Sequence, residues 1–282
     1  MLIVESQSMD VYRNLAIEEY LMEQVVDRGP VLFLWRSDCA VVMGKNQNPW
    51  RECRLDLMRE EGVPLARRIS GGGTVYHDAG NLNYCVIVDR REYREEQAYG
   101  MVLAALETFG IHAEKSGKSN LGVEGRKFSG NAFCFRRGRA LHHGTLLLNT
   151  DLERLNRYLG PMFGGIETRA ISSVPAEVAN LGLDVAELSL ALKGVFRAFY
   201  GDETPYQWSE ADLDETMLQP LLERQFSDKW KYGGTPKFSL ERNDLRLEIE
   251  KGDVVRATGG QTDSLLGMPF SKVALSLIHQ ID

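Results

Sequence analysis

The chain has 282 residues, so it can bury a substantial core in one large domain or in a large domain with a small appendage. Hydrophobic residues make up 43% and charged residues 26% of the sequence, and no segment approaches the roughly 18 uninterrupted apolar residues of a membrane span. This composition predicts a soluble globular protein. The net charge of -7 argues against broad nucleic-acid binding, which depends on clustered positive charge.

The first residues, MLIVES, lack the basic region and apolar stretch of a secretory signal, so we expect a cytoplasmic protein. Cys39, Cys53, Cys85 and Cys134 are scattered without any Cys-x-x-Cys pair. This spacing argues against a disulfide framework and against a zinc knuckle. We therefore expect reduced, mostly buried thiols and no metal site built from cysteines.

Short predicted strands alternate irregularly with helices in the first half of the chain. The apolar periodicity and the glycine and proline breaks give these assignments. A tight turn at Ser37-Asp38 joins the first two strands, and the glycine run 71–73 forms the turn between the third and fourth. In chain order the predicted elements are helix 14–27, strands 31–35 and 40–44, helix 49–61, strands 64–69, 74–76 and 82–88, and helix 99–109.

The second half begins with a predicted antiparallel set of strands whose turns fall at Gly125 and Gly138. Helices follow, and after Pro236 the pattern changes to a small meander with Lys251-Gly252 as a hairpin turn. In chain order the predicted elements are strands 120–123, 127–135 and 141–148, helices 152–159, 185–200 and 213–226, strands 237–240, 245–250 and 253–258, and helix 270–278. The fold class that these elements indicate is α+β, with mainly antiparallel sheets and flanking helices.

A run of three glycines lies within residues 67–78 (RRISGGGTVYHD). Successive glycines can bring backbone N–H groups close to a ligand, where a Cβ would collide. Such groups form anion-binding concavities, and Arg68 adds a guanidinium that matches phosphate or carboxylate oxygens. By itself the run is also typical of a flexible turn. It matches neither the common phosphate-loop pattern nor the dinucleotide fingerprint.

Lys127 is the second candidate, because small residues flank it in a strand-like run, KFSGNA. A lysine there can donate to a phosphate and to a carbonyl oxygen at once, which stabilises charge that develops during acyl transfer. The segment 115–139 also holds seven basic residues against a single acidic one, Glu124, so it would attract an anionic ligand or partner. A solvated hairpin turn explains residues 136–139 equally well.

The two candidates belong to an ordered set of motifs. The set is NLAIEE (14–19), WR (35–36), NPW (48–50), RRISGGGTVYHD (67–78), GN (80–81), GRK (125–127) and HHGTLL (142–147). It resembles the lipoate-protein ligase A family, within the biotin and lipoate ligase fold, from about residue 10 to about residue 265. Chance does not explain the agreement of so many motifs in the same order.

The resemblance implies a two-step reaction. Lipoate, or octanoate, attacks the α-phosphate of ATP with Mg²⁺ present, and a lysine of an acceptor lipoyl domain then takes the acyl group from the acyl-AMP. The implied acceptors are the E2 subunits of 2-oxoacid dehydrogenases or the glycine cleavage H protein. Lys127 is the implied catalytic residue. The resemblance implies adenylate binding by Arg68, Gly73, Thr74, Val75, Tyr76, Asn81, Asn120 and Lys127, and lipoyl binding by Trp35, Ser70, Gly71, Gly72, His77 and His143.

The change of pattern after Pro236 indicates a catalytic domain over 1–236 and a small tail domain over 237–282, which the resemblance identifies as a shortened accessory domain. We expect the chain to be monomeric. Consecutive strand residues face opposite sides, so His142 and His143 are unlikely partners for one zinc ion, and one of them is expected to be a packed structural residue. Where the family usually has Arg-Asn-Asp, this chain has Lys118-Ser119-Asn120.

Two other functions are compatible with the fold. One is an octanoyl or lipoyl transferase that needs no ATP and works through a cysteine thioester. The chain has no cysteine at either position where such transferases place it, since one of these is occupied by LGPM (159–162). The other is a non-catalytic binder of lipoyl domains or acyl-adenylates, although a binder needs no group placed for a transition state.

Overall fold

The computed structural model describes residues 1–25, 29–201, 204–259 and 263–278. None of the helices in these ranges is both long enough and apolar enough to cross a membrane. The α-helices of the described residues are α1 (Val11–Gln24), α2 (Pro49–Glu52), α3 (Leu55–Glu60), α4 (Glu95–Glu107), α5 (Leu152–Tyr158), α6 (Val185–Tyr200), α7 (Glu215–Phe226), α8 (Asp228–Lys231) and α9 (Phe270–Ile278).

The strands of the described residues form three sheets. They are β1 (Leu2–Glu5), β2 (Val31–Trp35), β3 (Ala40–Met43), β4 (Leu65–Arg67), β5 (Val75–His77), β6 (Asn81–Asp89), β7 (Glu114–Ser116), β8 (Asn120–Val123), β9 (Arg126–Arg136), β10 (Arg139–Leu147), β11 (Ile166–Thr168), β12 (Tyr206–Trp208), β13 (Phe238–Arg242), β14 (Leu245–Glu250) and β15 (Asp253–Thr258).

The chain divides into two compact units, each built from separated stretches. Unit 1 comprises Met1–Cys39, His77–Leu152 and Pro175–Leu222, and unit 2 comprises Ala40–Tyr76, Glu153–Val174 and Glu223–Asp282. The predicted domains, 1–236 and 237–282, are instead contiguous stretches of sequence, and this division stays a prediction.

Unit 1 is organised around an eight-stranded sheet with the order β12-β1-β2-β6-β10-β9-β8-β7. Its pairs are antiparallel except that β1 is parallel to both β2 and β12. On one face α4 and α6 pack against alternate side chains of the strands, including Leu34, Tyr84 and Leu146. On the other face α1 contacts β2, β6 and β10. Because successive strand residues point to opposite faces, Trp35 and Asn83 lie on the α1 side.

The helix α1 begins where Asp10 accepts a hydrogen bond from the backbone N–H of Tyr12, as an N-cap residue does. It buries polar as well as apolar side chains. Asn14 is buried and donates to the carbonyl oxygens of Ser8 and Arg36, each at 2.8 Å. The helix therefore fixes two neighbouring loops in addition to covering the sheet.

Unit 2 contains the three-stranded sheet β4-β3-β5 and the four-stranded sheet β11-β13-β14-β15. In its core the Trp50 ring lies 4.8 Å from Phe270 in edge-to-face geometry and 5.3 Å from Phe238. Trp50 belongs to α2, whereas the other two rings come from β13 and α9. The segment after residue 236 thus shares a core with earlier parts of the chain.

Several predicted elements differ from the structure. The strands at 31–35 and 40–44 do not form a hairpin, because β2 belongs to the eight-stranded sheet and β3 to the three-stranded sheet. The strands β4 and β5 both border β3, so the glycine run connects strands that are not paired with each other. The predicted helix 49–61 is interrupted at Cys53, whose backbone is extended and forms a bridge with Leu159.

Other assignments are confirmed. The helix 185–200 has the predicted bounds, and the meander after Pro236 is present as β13, β14 and β15. The predicted helix 14–27 is found as Val11–Gln24, and its predicted end at Asp27 lies outside the described residues. Residues 260–262, near the end of the family resemblance, also lie outside them.

Candidate functional site

In unit 2, the glycine loop is folded around Arg68. The buried guanidinium donates to Ser70 Oγ at 3.0 Å and to the carbonyl oxygens of Val42, Gly71 and Gly73 at 3.1, 2.6 and 2.7 Å. These bonds fix the turn by drawing two of its carbonyls onto one cation. The structure thus gives Arg68 a loop-bracing role, and its role as an adenylate ligand stays a prediction.

The backbone of the loop approaches a neighbouring segment at Gly72. This residue has a φ of 84°, a conformation that side chains other than glycine rarely adopt. A Cβ on Gly44 would collide with the Gly72 carbonyl oxygen. Both positions therefore require glycine. Gly72 requires it for its backbone conformation, and Gly44 requires it because another backbone segment approaches closely.

Two residues whose side chains carry no functional signal in the sequence hold Thr74. Gln47 is buried, and its Oε1 accepts from Thr74 Oγ1 at 2.8 Å and from the Gly44 N–H at 2.9 Å. Ser173 Oγ accepts from the Thr74 N–H at 2.9 Å and from Gln47 Nε2 at 3.1 Å. Two segments distant in sequence, around Gln47 and Ser173, thereby position the end of the glycine loop. Val75 and Tyr76 follow, with Val75 half-buried and the Tyr76 ring packed 5.9 Å from that of Tyr158.

Arg67, the neighbour of Arg68, is fully buried in unit 2. Its guanidinium donates to backbone carbonyls of two segments, those of Lys45 and Gln47 at 2.8 and 3.0 Å and that of Lys231 at 2.6 and 2.9 Å. It also donates to Thr235 Oγ1 at 2.9 Å. Burial lowers the pKa of Arg67 to about 10. This side chain joins the loop 44–47 to the segment 231–235.

In unit 1, a row of paired residues crosses four strand interfaces of the eight-stranded sheet. Trp35 pairs with Asn83, Asn83 with Thr145, Thr145 with Gly130 and Gly130 with Asn120. Residues directly opposite in a ladder share a face of the sheet. We call this side the α1 face, because α1 packs on it.

The α1 face carries Trp35 and His143, and Glu18 of α1 links them. Trp35 Nε1 donates to Glu18 Oε1 at 3.1 Å, and His143 Nδ1 lies 2.7 Å from Glu18 Oε2. All three side chains are at least nine-tenths buried. A buried carboxylate that receives two such bonds holds both rings in fixed orientations.

His77 joins the same face through a ring contact and a hydrogen bond. Its ring centroid lies 5.3 Å from that of Trp35, and Nε2 lies 3.1 Å from Thr145 Oγ1. Thr145 donates its single hydroxyl hydrogen to Asn83 Oδ1 at 2.9 Å. The hydrogen between His77 and Thr145 therefore resides on Nε2 of the histidine.

Lys127 reaches the α1 face because of a β-bulge. Leu121 pairs with Ser129 and Gly122 with Lys127, so Phe128 is an extra residue in β9. Residues 127 and 130, which would face opposite sides of a regular strand, then share a side. The Lys127 Nζ lies 3.0 Å from the position that a Cβ on Gly130 would occupy. The ammonium thus extends over a residue without a side chain.

The backbone of Lys127 is fixed by a separate segment. Its N–H donates to the Glu177 carbonyl oxygen at 2.9 Å, and its own carbonyl accepts from the Ala179 N–H at 2.9 Å.

Asn81 lies at the start of β6, and its Oδ1 accepts from Thr150 Oγ1 at 2.5 Å. Asn81 shares its face with Asn83, two residues away.

His142 lies on the opposite face, as the packed histidine of the pair. Phe133 and Tyr99 contact its ring edge to face, and Nε2 lies 3.1 Å from Asn131 Oδ1 while Nδ1 lies 3.2 Å from Tyr93 Oη. Burial, with smaller contributions from neighbouring charges, lowers the pKa of His142 to about 3. The residue is therefore a neutral structural group.

Acidic partners accompany much of the basic segment 115–139. Lys115 pairs with Glu95 at 2.5 Å, and Arg136 reaches both Glu19 at 3.0 Å and Glu23 at 2.9 Å. The Lys115–Glu95 pair is exposed and contributes little to stability, whereas Glu19 and Glu23 are buried carboxyl groups; all three pairs reduce the local positive field. Across the described ranges, no three His, Cys, Asp or Glu side chains are grouped as a metal site would require.

A family model described as the lipoyl protein ligase A/B catalytic domain matches residues 10–191. The chain belongs to this family. A relative named lipoate-protein ligase A, from Bdellovibrio bacteriovorus, is 37% identical over 270 residues, which cover 88% of this chain and 79% of that protein. The predicted family is confirmed.

Solved structures of lipoate ligases share the fold of this lipoyl protein ligase A/B family member. A structure of P. falciparum LipL1 in complex with lipoate gives a TM-score of 0.72 at 26% identity, covering 100% of this chain and 94% of that one. A lipoate-protein ligase A bound with ATP gives a TM-score of 0.69 at 24% identity, covering 82% and 97%. The predicted α+β fold class is confirmed.

The predicted site residues of this family member fall into two groups. Unit 1 contributes those of the α1 face and its margins, and unit 2 contributes the glycine loop. The first group is Trp35, His77, Asn81, Asn120, Lys127 and His143, and the second is Arg68, Ser70, Gly71, Gly72, Gly73, Thr74, Val75 and Tyr76.

Proposed function

We propose that the chain is an ATP-dependent, AMP-forming lipoate-protein ligase. In the first step a lipoate carboxylate oxygen attacks the α-phosphorus of ATP, an O–P bond forms and pyrophosphate leaves. In the second step the amine of an acceptor lysine attacks the acyl carbon. A C–N bond forms, AMP leaves with the carboxyl oxygen, and the amine proton passes to solvent. The acceptor is a lipoyl domain of an E2 subunit or the H protein.

The observation that carries the proposal is the ammonium of Lys127 lying over Gly130 on the α1 face. The bulge and the missing side chain leave the cation beside a row that ends at an aromatic residue, Trp35. A donor fixed at that place can bond to the acyl carbonyl and to the α-phosphate oxygens, where negative charge develops. Family membership supports this assignment.

The glycine loop is proposed to receive the nucleotide. Glycines at 71–73 leave backbone groups accessible to phosphate oxygens, and the network of Gln47, Thr74 and Ser173 holds the loop in place before ATP binds. Preorganised donors need no rearrangement in the transition state. In unit 1, Asn81 and Asn120 are proposed as adenylate-binding residues.

Mg²⁺ is proposed to bind together with ATP. Mg²⁺ commonly uses one or two protein carboxylates with substrate phosphates and water. The described residues hold no group of three or more His, Cys, Asp or Glu side chains that could bind a resident ion without ATP, and Asn120 supplies an amide where the family pattern has an acid. Phosphate oxygens and water are therefore the expected ligands of Mg²⁺.

Transfer through a cysteine thioester is less well supported. A nucleophilic thiol must ionise readily and be accessible. Cys53 and Cys85 are fully buried, and burial raises the pKa of each thiol well above its ordinary value. Because the chain also has no cysteine at either position where same-fold transferases place theirs, we favour activation by ATP. A cytoplasmic location, a monomeric state and an accessory domain over 237–282 are further parts of the proposal.

The test uses an unmodified lipoyl domain and intact-mass detection of its acylation. Three reactions are compared: ATP, Mg²⁺ and lipoate; an octanoyl-carrier thioester alone; and a lipoylated donor domain alone. We expect modification only in the first. Lys127→Ala should lower that rate by about 100-fold to 1,000-fold, as loss of a charge-stabilising donor does. The control is Lys272→Ala, at an exposed position of α9. Acylation without ATP, or full activity of Lys127→Ala, would contradict the proposal.

A further inference from the structure

Asn83 has an unusual position on the α1 face. It lies in the middle of β6, is 3% exposed, and pairs with Trp35 on one side and Thr145 on the other. Its Oδ1 accepts the Thr145 hydroxyl hydrogen. Its Nδ2 has no hydrogen-bond partner within the described part of the chain.

The Asn83 amide is oriented with its oxygen toward Thr145. The Thr145 hydroxyl has one hydrogen, and that hydrogen is given to Asn83 Oδ1. The oxygen of Thr145 accepts from Nε2 of His77. The relay from His77 through Thr145 to Asn83 therefore directs the Nδ2 donors away from Thr145. Buried donors of native proteins almost always have partners, so this amide is suited to a ligand that carries an acceptor.

The sheet gives the distance between this amide and Lys127. Gly130, beneath the Lys127 ammonium, is two strands away from Asn83 in the same row. Two spacings between neighbouring strands amount to about 9.5 Å. Lipoate has five carbon–carbon bonds, each about 1.5 Å long, between its carboxyl carbon and its ring, which span about 6 Å when extended. The ring adds about 2 Å, so its sulfur atoms reach the neighbourhood of Asn83 when the carboxylate lies at Lys127.

We propose that Asn83 is a specificity-determining residue that selects the dithiolane of lipoate over the alkyl end of octanoate. This inference rests on the proposed function. A Nδ2–H group of Asn83 donates to a ring sulfur, which is a weak acceptor. Octanoate places methylene and methyl groups there, so the buried donor stays unpaired when octanoate binds. Leaving such a group unpaired penalises the wrong ligand more than pairing it favours the right one.

The test compares wild type with Asn83→Leu and Asn83→Asp. Leucine has a similar size and no donor, and an ionised aspartate has only acceptors. Equilibrium binding of lipoate and of octanoate is measured by calorimetry, and kcat/KM for both acids is measured with a lipoyl domain. We expect the preference for lipoate to fall by about fivefold or more in each variant, the change that one ordinary hydrogen bond produces. If Asn83→Leu does not fold, Asn83→Asp carries the test.

The matched control is Asn131→Leu, a change of another buried asparagine of the same sheet. Asn131 is on the opposite face, where its Oδ1 accepts from Tyr84 and His142. This change should lower stability and leave the ratio of the two affinities unchanged. Equal effects of the Asn83 variants on both acids would overturn the inference and leave the ligase assignment intact. Wild-type binding of both acids without turnover would overturn the ligase assignment, while the affinity ratios still test Asn83. Binding of neither acid would overturn both.

Discussion

Replacing Gly130 with alanine tests whether the position of the Lys127 ammonium matters for turnover. The added Cβ would lie 3.0 Å from Lys127 Nζ and 3.2 Å from Cε, closer than ordinary contacts between carbon atoms, which are about 3.5–4.0 Å. The lysine must therefore move by several tenths of an ångström. A misplacement of about 1 Å at a reacting centre can cost about 100-fold in rate. We expect kcat to fall by about 10-fold to 100-fold, which corresponds to about 1.4–2.7 kcal/mol in the barrier.

The same change should not destabilise the fold. Gly130 is not among the glycines with a positive φ, so alanine fits its backbone, and the colliding atoms belong to the flexible end of a side chain. A compatible glycine-to-alanine change typically stabilises by about 0.4–1 kcal/mol, because it restricts the unfolded chain. Turnover is measured by intact mass at saturating ATP and lipoate, and stability is measured by urea unfolding.

The control is Gly194→Ala in α6, where a Cβ would meet nothing within 4 Å. This variant should keep wild-type kcat and gain up to about 1 kcal/mol of stability. A Gly130→Ala protein with normal stability and wild-type kcat would refute the reasoning, because the ammonium would then work equally well from a displaced position. Loss of stability by more than about 1 kcal/mol would refute the packing argument instead.

Two further changes test buried groups. Arg67→Lys should lower the free energy of unfolding by about 2–4 kcal/mol, because a lysine cannot reach the carbonyl groups of both segments that the guanidinium joins. Urea unfolding measures this change, with Arg246→Lys at an exposed position as the control. A loss below about 1 kcal/mol would contradict the prediction. His142 has a folded pKa of about 3, below the unfolded value of about 6.5, so its contribution to stability is complete above pH 6.5 and is lost as the pH falls toward 3. The stability advantage of wild type over His142→Gln should therefore shrink by about 2.7 kcal/mol between pH 7 and pH 4.5, and a difference that does not change with pH would disprove this account.

The helices and tight turns of the fold were predictable because their signals are local. The helix 185–200 has the Asp184 side chain as its N-cap and ends at Gly201, which has a φ of 149°. The turns at Gly125 and Gly138 have positive φ at the glycine and at the preceding residue. Such two-residue turns suit the twist of paired strands. Each of these features is determined by a few neighbouring residues.

The missed and misassigned elements depend on distant partners. The strands Leu2–Glu5 and Tyr206–Trp208 have four and three residues and pair with each other across about 200 residues of sequence. Segments so short carry no useful periodicity. The sequence correctly predicted an interruption between two strands at Ser37-Asp38. It carries no signal that the strands on either side belong to different sheets.

The site was predictable to a similar extent. Arg68, the glycine run and Lys127 have side chains or backbone freedom that suggest their chemistry. Gln47 and Ser173 do not, because their role depends on a contact between residues more than 100 positions apart. Asn83 had a signal, since polar residues at 81 and 83 share one face of an otherwise apolar strand. The bulge that brings Lys127 over Gly130 had no signal in the sequence.

The aromatic core around Trp50 has a consequence for the synthesis of the chain. Trp50 is made 220 residues before Phe270, with which it packs at 4.8 Å. At a synthesis rate of about 5–20 residues per second, this interval is about 10–45 s. During that time the aromatic cluster around the indole lacks the Phe270 ring, whereas strands β8, β9 and β10 of the eight-stranded sheet can pair as soon as each hairpin has been made. Unit 2 therefore completes its core only after α9 has been made, and part of its aromatic surface stays exposed on the nascent chain until then.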